Sequence, residues 1–254
     1  MTRLEVLFAP AEFAALKGRD LSGTVCVVFD VLRATSTMVT ALTNGAAAVI
    51  PVEEISEALA IRHRDPEVLL AGERDGVRIE ASMTGSAAFD LGNSPREFTA
   101  ERVKGRRIVT TTTNGTRALR ACLPARTVLA GSFLNLGATA GWIEREHPAE
   151  LLVVGSGTHE EAAYEDVLGA GALCDLLWPR YSAGAVSDSA QMARTLYQRE
   201  QGDLFGAVAG SRNGRRLLEL PELRDDVAFC LRRDAFGIVA KLGKDGSVRV
   251  QRLA

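Results

Sequence analysis

Thr24-Val25-Cys26-Val27-Val28-Phe29-Asp30-Val31-Leu32-Arg33-Ala34-Thr35-Ser36-Thr37 is the stretch that decides the fold class. Thr24 to Phe29 is a continuous apolar run, short enough for a strand buried on both faces. It stops at Asp30, and Ala34 to Leu42 then reads as a helix that ends near Asn44-Gly45. A buried strand, a polar tip and a helix make the unit from which α/β sheets are built.

The unit recurs in both directions. Leu4 to Phe8 reads as a strand ahead of it, with Val49–Val52 as a strand and Ile55–His63 as a helix behind it. Further strands are predicted at Val68–Ala71, Arg107–Thr111, Thr127–Ala130 and Leu151–Val154, and helices at Thr116–Cys122, Leu136–Arg145 and Ala162–Leu177. The alternation predicts a three-layer α/β/α fold around a mixed, mainly parallel sheet. Asp226 to Leu231 reads as a late strand, and Lys244-Asp245-Gly246-Ser247 as the turn of a hairpin, so antiparallel strands are expected near the C-terminus. Residues 1–254 are expected to form one domain, or two tightly packed lobes. Ala81 to Ala88 (ASMTGSAA) is the most flexible-looking internal piece, either a cover for a site or a surface insertion.

Composition narrows the partners. Thirty basic and 32 acidic residues leave a net charge of −2, which offers no polybasic face to nucleic acid. Small molecules or a second copy of the chain are the expected partners. Lysine stands only at 17, 104, 241 and 244, so arginine carries the basic charge. Its forked donor suits phosphate or sulfonate, although genomic base composition explains the bias as well. The four cysteines are far apart and form no CxxC pair, which excludes a zinc ribbon and fits a reducing compartment. No apolar stretch reaches 18 residues and no signal-type segment opens the chain, so a cytoplasmic location is expected and a membrane partner is not.

In open α/β sheets ligands sit at the loops that follow strands and lead into helices. Four polar clusters fall there. Asp30, Arg33, Thr35, Ser36 and Thr37 follow the first buried strand; the carboxylate suits magnesium and the hydroxyls suit phosphate, but a capped helix beside a surface Arg reads the same. Glu73 and Arg74, with Asp90, Asn93, Ser94 and Pro95, form a second group that is equally a turn signal. Thr110 to Thr113, Asn114, Gly115, Thr116 and Arg117 have the parts of an anion nest. Gly155-Ser156-Gly157-Thr158 precedes Glu165 and Asp166, which lie about 100° apart on a helix, so only one of them is expected to reach a given metal.

Other phosphate chemistries drop out. Asp30 is followed two residues later by Leu32, so no Asp-x-Asp start exists. Cys174 and Arg180 have the spacing of cysteine phosphatases without the glycines that would wrap a phosphate. No GxxxxGK[ST] is present, and His63, His147 and His159 are too scattered for a zinc set.

Taken in order, these motifs resemble the 2-phosphosulfolactate phosphatase (ComB-like) family. The resemblance runs from Asp30–Thr37 through Gly72-Glu73-Arg74, Phe89–Pro95 and Thr111–Thr116. It continues with Gly157-Thr158, Glu165-Asp166 and Ala170-Gly171, and ends with Ser211, Gly214, Leu217 and Asp226 to Asp234. The segment 81–88 is longer than the short glycine junction of the family, and Gly155-Ser156-Gly157 stands where Cys-Ala-Gly is common. The resemblance implies a ComB-like fold, a homodimer and a magnesium-dependent phosphohydrolase that converts 2-phosphosulfolactate to 3-sulfolactate on the route to coenzyme M. Combined with the clusters, it suggests Asp30, Glu73, Asp90 and one of Glu165 and Asp166 as metal ligands, with Asp30, Arg33, Glu73 and Asp90 catalytic. Substrate contacts are then expected from Arg33, Thr35, Ser36, Arg74, Asn93, Thr111 through Thr116 and Arg117. A phosphatase of another small phosphorylated hydroxy acid, or a non-catalytic anion-binding protein, remains an alternative at this stage.

Overall fold

The apolar run from Thr24 is a strand in which every residue is buried, with Val25, Val27 and Phe29 on one side and Cys26 and Val28 on the other. The computed structural model describes residues 1–251. In chain order, β1 is Arg3–Leu7, β2 Thr24–Phe29, α1 Ala34–Thr43, β3 Ala48–Pro51, α2 Ile55–Arg64, β4 Leu69–Arg74, β5 Val77–Arg78 and α3 Ala81–Thr84. There follow α4 Ala100–Val103, β6 Arg107–Thr111, α5 Gly115–Ala121, β7 Thr127–Gly131, α6 Leu136–Glu146, β8 Glu150–Gly155 and α7 Tyr164–Tyr181. The last part holds β9 Ala185–Val186, α8 Asp188–Glu200, α9 Leu204–Ala209, α10 Arg212–Glu219, α11 Arg224–Cys230, β10 Ala240–Leu242 and β11 Val248–Val250.

The strands form one sheet of eleven, in the order β5-β4-β6-β3-β11-β10-β7-β2-β8-β1-β9. Helices cover both faces, which makes the protein the three-layer α/β/α structure expected. One face of the β1, β2 and β8 region packs with α6 and α7, and α8 adds Ala190, Ala193 and Tyr197. The other face packs on α1 and α5, where Met38, Val39, Leu42 and Leu119 enter the core. A smaller core of Val52, Ala58, Leu70, Phe89 and Val109 lies beneath α2.

The predicted hairpin forms, with β10 and β11 antiparallel, but it lies inside the sheet rather than at an edge. It pairs with β7 on one side and with β3 on the other. Two parallel blocks, β4-β6-β3 and β7-β2-β8-β1, are thereby joined through three antiparallel steps and run in opposite senses. The β11–β3 join is a single residue pair, Val248 with Val49. Strand-to-strand twist of roughly 20–25° accumulates across such a sheet. The loop after β6 meets the loop after β2, with Gly115 against Asp30 and Ala34.

The expected strand at Asp226 to Leu231 is instead helix α11. A short apolar run has no periodicity long enough to separate helix from strand. Here Asp226, Val227 and Cys230 turn inward with helical spacing, while Asp225 points out to Arg96. The predicted helix from Ala162 begins at Tyr164 and continues to Tyr181. Helices α8, α9 and α10 follow it without having been anticipated, and Ser187, Asp203 and Ser211 cap them by accepting from backbone N–H groups. Residues 81–88 are largely exposed and hold the single turn α3.

Candidate active site

Asp30 sits at the tip of β2, where the chain turns into α1. Its Oδ1 accepts from the Ala34 N–H at 2.9 Å, and among the described residues no hydrogen-bond donor reaches Oδ2. Oδ2 faces α5 instead: a Cβ on Gly115 would lie 2.6 Å from it. Only glycine allows the start of α5 to come this close to the carboxylate.

Asp166, in the first turn of α7, ties two loops together. Oδ1 accepts from the Val31 N–H at 2.8 Å and Oδ2 from the Gly157 N–H at 3.0 Å. Gly157 has φ of 65°, and a Cβ there would lie 2.3 Å from the Glu161 carbonyl, so the loop can turn in this way only at glycine. Asn114 closes the ring by donating from Nδ2 to the Gly157 carbonyl at 3.0 Å. Glu165 is fastened from the helical layer, accepting from Asn213 Nδ2 at 2.5 Å and Ser211 Oγ at 3.2 Å.

Glu73 clamps the loop after β6. Its Oε1 accepts from the N–H and hydroxyl of Thr113 at 3.0 and 3.1 Å, and its Oε2 from the Gly76 N–H at 2.6 Å. Arg33 Nη1 donates to Asp226 Oδ2 at 2.8 Å and Nη2 to the Gly76 carbonyl at 2.9 Å. Asp226 also accepts from Ser94 Oγ at 2.6 Å and Arg96 Nε at 3.2 Å.

These loops enclose a cleft with about 690 Å³ of atom-free space, part of it open to solvent. Burial pushes the Asp30 carboxyl up to about 7, with Glu73 and Glu165 adding repulsion and the Ala34 N–H and Arg33 opposing. Burial also raises Asp166 well above the ordinary range, helped by Asp30 and Glu165. Glu165 is raised by the same desolvation, against the hydrogen bonds from Asn213 and Ser211. In this cleft the carboxylates outnumber the guanidiniums, which are those of Arg33 and Arg216.

Of the predicted acids, Asp30, Glu73, Glu165 and Asp166 line the cleft. Asp90 does not: its carboxylate pairs with Arg62 and accepts from the Leu70 N–H, which removes it from any shared metal site. Arg33, Asn93, Thr112, Thr113 and Asn114 also line the cleft. Thr35 and Ser36 lie behind it, their hydroxyls donating to the carbonyls of Asp30 and Val31. Thr111 and Thr116 likewise donate to backbone carbonyls, of Glu53 and Thr112. Arg74 is held by the carbonyls of Glu73 and Glu53 and by the Thr111 hydroxyl, and Arg117 pairs at the surface with Glu160. Neither guanidinium lines the cleft, because each is already committed to another part of the fold.

Sequence reasoning missed Asp75, Asn213 and Arg216. The last two reach the cleft from α10, a helix whose one local signal was Ser211 three residues ahead of Gly214.

The donors fit a hard divalent cation better than a soft one, being carboxylate, hydroxyl and amide oxygens. Thr112 Oγ1 and Asn114 Oδ1 are buried at the cleft wall without a partner among the described residues, which is where a ligand or its water would bond. Among the described residues no three His, Cys, Asp or Glu side chains form a ready metal cage. Magnesium commonly takes one or two carboxylates and keeps several waters, so the donors present suffice.

Comparison with known proteins shows the family. The family model described as 2-phosphosulpholactate phosphatase matches residues 13–245. A protein of Caldanaerobacter subterraneus subsp. tengcongensis, named a probable 2-phosphosulfolactate phosphatase, is 39% identical over 94% of this chain and 96% of its own length. Proteins of the same name from Caldicellulosiruptor saccharolyticus and Gloeobacter violaceus are 38% and 39% identical over 84% and 90% of this chain, and over 87% and 92% of their own lengths. The match takes in every residue that lines the acid cleft, and the chain belongs to the 2-phosphosulfolactate phosphatase family.

Proposed function

We propose that this protein is a magnesium-dependent phosphatase that hydrolyses the phosphate monoester of 2-phosphosulfolactate to 3-sulfolactate and phosphate, a reaction of the coenzyme M biosynthesis type. One observation carries the reading: five carboxylates, those of Asp30, Glu73, Asp75, Glu165 and Asp166, face two guanidiniums in one cleft. A multiply anionic ester would be repelled from such a cleft unless a cation came with it.

Asp30 and Asp166 would hold the ion, with Glu165 and Glu73 lining the same cleft. When bound, the ion supplies the charge neutralisation that a loose, anionic phosphoryl transition state requires. Asp166 keeps the β2–α1 and β8–α7 loops in register through its bonds to Val31 and Gly157. Glu73 holds the Thr113 loop, so that the Thr112 hydroxyl is free to donate to a phosphoryl oxygen. Arg33, oriented by Asp226, offers its remaining donors to the same group. An Asp of the cluster either attacks phosphorus or takes the proton of an attacking water. Trapping an acyl-phosphate on the protein, against solvent oxygen in released phosphate without protein labelling, decides between the two.

The remaining properties belong to the same proposal. One sheet recruits strands from both ends of the chain, which supports a single domain over 1–254. Four buried free cysteines suit a reducing, cytoplasmic setting. Among the described residues no helix is long and apolar enough to cross a membrane. A homodimer is expected, and light scattering on the purified protein measures it directly.

The test is a phosphate-release screen over 2-phosphosulfolactate, 2-phospholactate and phosphoglycerate, with and without EDTA. Release from the first, lost in EDTA and restored by magnesium, is the expected result. Release only from another ester moves the substrate, and release from none under any divalent ion overturns the enzymatic reading.

A further inference from the structure

The cleft's two guanidiniums are not equivalent. Arg33 is 4% exposed and bound to Asp226 and the Gly76 carbonyl, so its charge is already balanced. The Arg216 side chain is 48% exposed, donates to the Asp75 carbonyl and stands 4.0 Å from the Asp75 carboxylate. A guanidinium has five N–H donors, which leaves most of those on Arg216 for a ligand.

Its position is set by the helix that carries it. Asn213, three residues earlier and therefore on the same side of α10, donates from Nδ2 to Glu165 Oε1 at 2.5 Å and to Thr158 Oγ1 at 2.8 Å. This anchors α10 to the acid floor, where Asp30, Glu165 and Asp166 are 9%, 1% and 2% exposed. Arg216 thus stands at the rim of the cleft, above the floor.

The proposed substrate has a matching layout. Its phosphoester and carboxylate share one carbon, and its sulfonate sits on the next. A sulfonate is fully ionised and weakly basic, a poor partner for a hard cation and a good acceptor for several N–H groups. With the phosphoryl group at the floor, the sulfonate is the group that projects toward the rim.

Resting on the phosphatase reading above, we infer that Arg216 is the specificity-determining residue of the cleft and binds the sulfonate of the substrate. Arg33, Arg74 and Arg117 leave this task open, since each is committed to Asp226, backbone carbonyls or Glu160.

Arg216→Gln and Arg216→Lys test it by two routes. Kinetically, Arg216→Gln should lower the selectivity for 2-phosphosulfolactate over 2-phospholactate by about tenfold or more, mainly through KM. Arg216→Lys should recover part of it, because the charge returns without the fork. An unchanged ratio, or equal loss on both esters, overturns the inference. Independently of turnover, calorimetry with 3-sulfolactate in magnesium should show binding to the wild type that weakens by a similar factor in Arg216→Gln, at unaltered thermal stability. Equal affinity in both proteins, or no binding to the wild type, also overturns it. Should the wild type cleave neither ester, the phosphatase reading falls, and the sulfolactate titration still decides the role of Arg216.

Discussion

Arg33 and Asp226, 193 residues apart in the chain, form an ion pair of 2.8 Å with side chains only 3% and 0% exposed. The pair joins the loop after β2 to α11 and holds the guanidinium at the wall of the acid cleft. Three further groups depend on it: Asp226 binds Ser94 and Arg96 as well, and Arg33 supports the Gly76 turn.

Asp226→Ala should therefore be among the most destabilising single changes in the protein. It leaves a buried guanidinium without its partner, at a cost of about 3–5 kcal/mol. Urea unfolding measures this, and a double-mutant cycle with Arg33→Met should show strong coupling. A loss below about 1 kcal/mol would mean that the pair contributes little.

Asp30→Asn should abolish turnover while leaving the metal-free fold at least as stable at pH 8. The sign follows from the raised carboxyl. Its ordinary value is 3.8 and its value in the fold about 7, so the folded state holds the proton more tightly between these limits. Stability is lost as pH rises through that window. The amide removes the charge, so its advantage over wild type should grow from pH 4 to pH 8 and vanish at the acidic end. Each ~1 kcal/mol relieved corresponds to about 2–4 °C in Tm at this chain size. Thermal scans in EDTA across this range check it, and an advantage confined to acidic pH would contradict it.

Gly115→Ala should impair activity more than most methyl additions. The new Cβ would lie 2.6 Å from both Asp30 Oδ2 and the Ala34 Cβ, so α5 or the carboxylate must move. Overpacking of this kind costs about 1–3 kcal/mol. A variant with wild-type kcat and wild-type Tm would show that the contact relaxes freely.

Asp90→Asn and Arg117→Met should keep near wild-type kcat and KM. Asp90 serves Arg62 and the Leu70 N–H outside the cleft, and Arg117 makes a surface pair with Glu160. Exposed pairs contribute about 0–1 kcal/mol, so only small changes in Tm are expected. A large loss of activity in either variant would reopen the boundaries of the site.

The layer architecture was legible because β2, β4, β6 and β8 announce themselves as short apolar runs that end in polar tips. Near those tips stand Asp30, Glu73, Thr112 to Asn114, Glu165 and Asp166, all of which reach the cleft. Residues on the same loops were harder to sort. Thr35 and Thr113 look alike in sequence, but one hydroxyl donates to the Asp30 carbonyl behind the site and the other faces Glu73 at its wall. Arg33 and Arg117 both follow a strand tip, yet one is sealed against Asp226 and the other lies at the surface.

By itself the sequence determined the buried strands of the sheet, which loops carry polar chemistry and where the C-terminal hairpin turns, because burial on two faces and turn chemistry act over a few residues. Tertiary structure alone decided that the hairpin would lie between two blocks of opposite sense and that the β6 loop would meet the β2 loop at Gly115 and Asp30. It also decided that α11 would form where a strand was expected, and that α10 would bring Asn213 and Arg216 over the acids. Such choices rest on contacts between residues more than a hundred positions apart, and no local pattern encodes which distant partner will neutralise a buried charge.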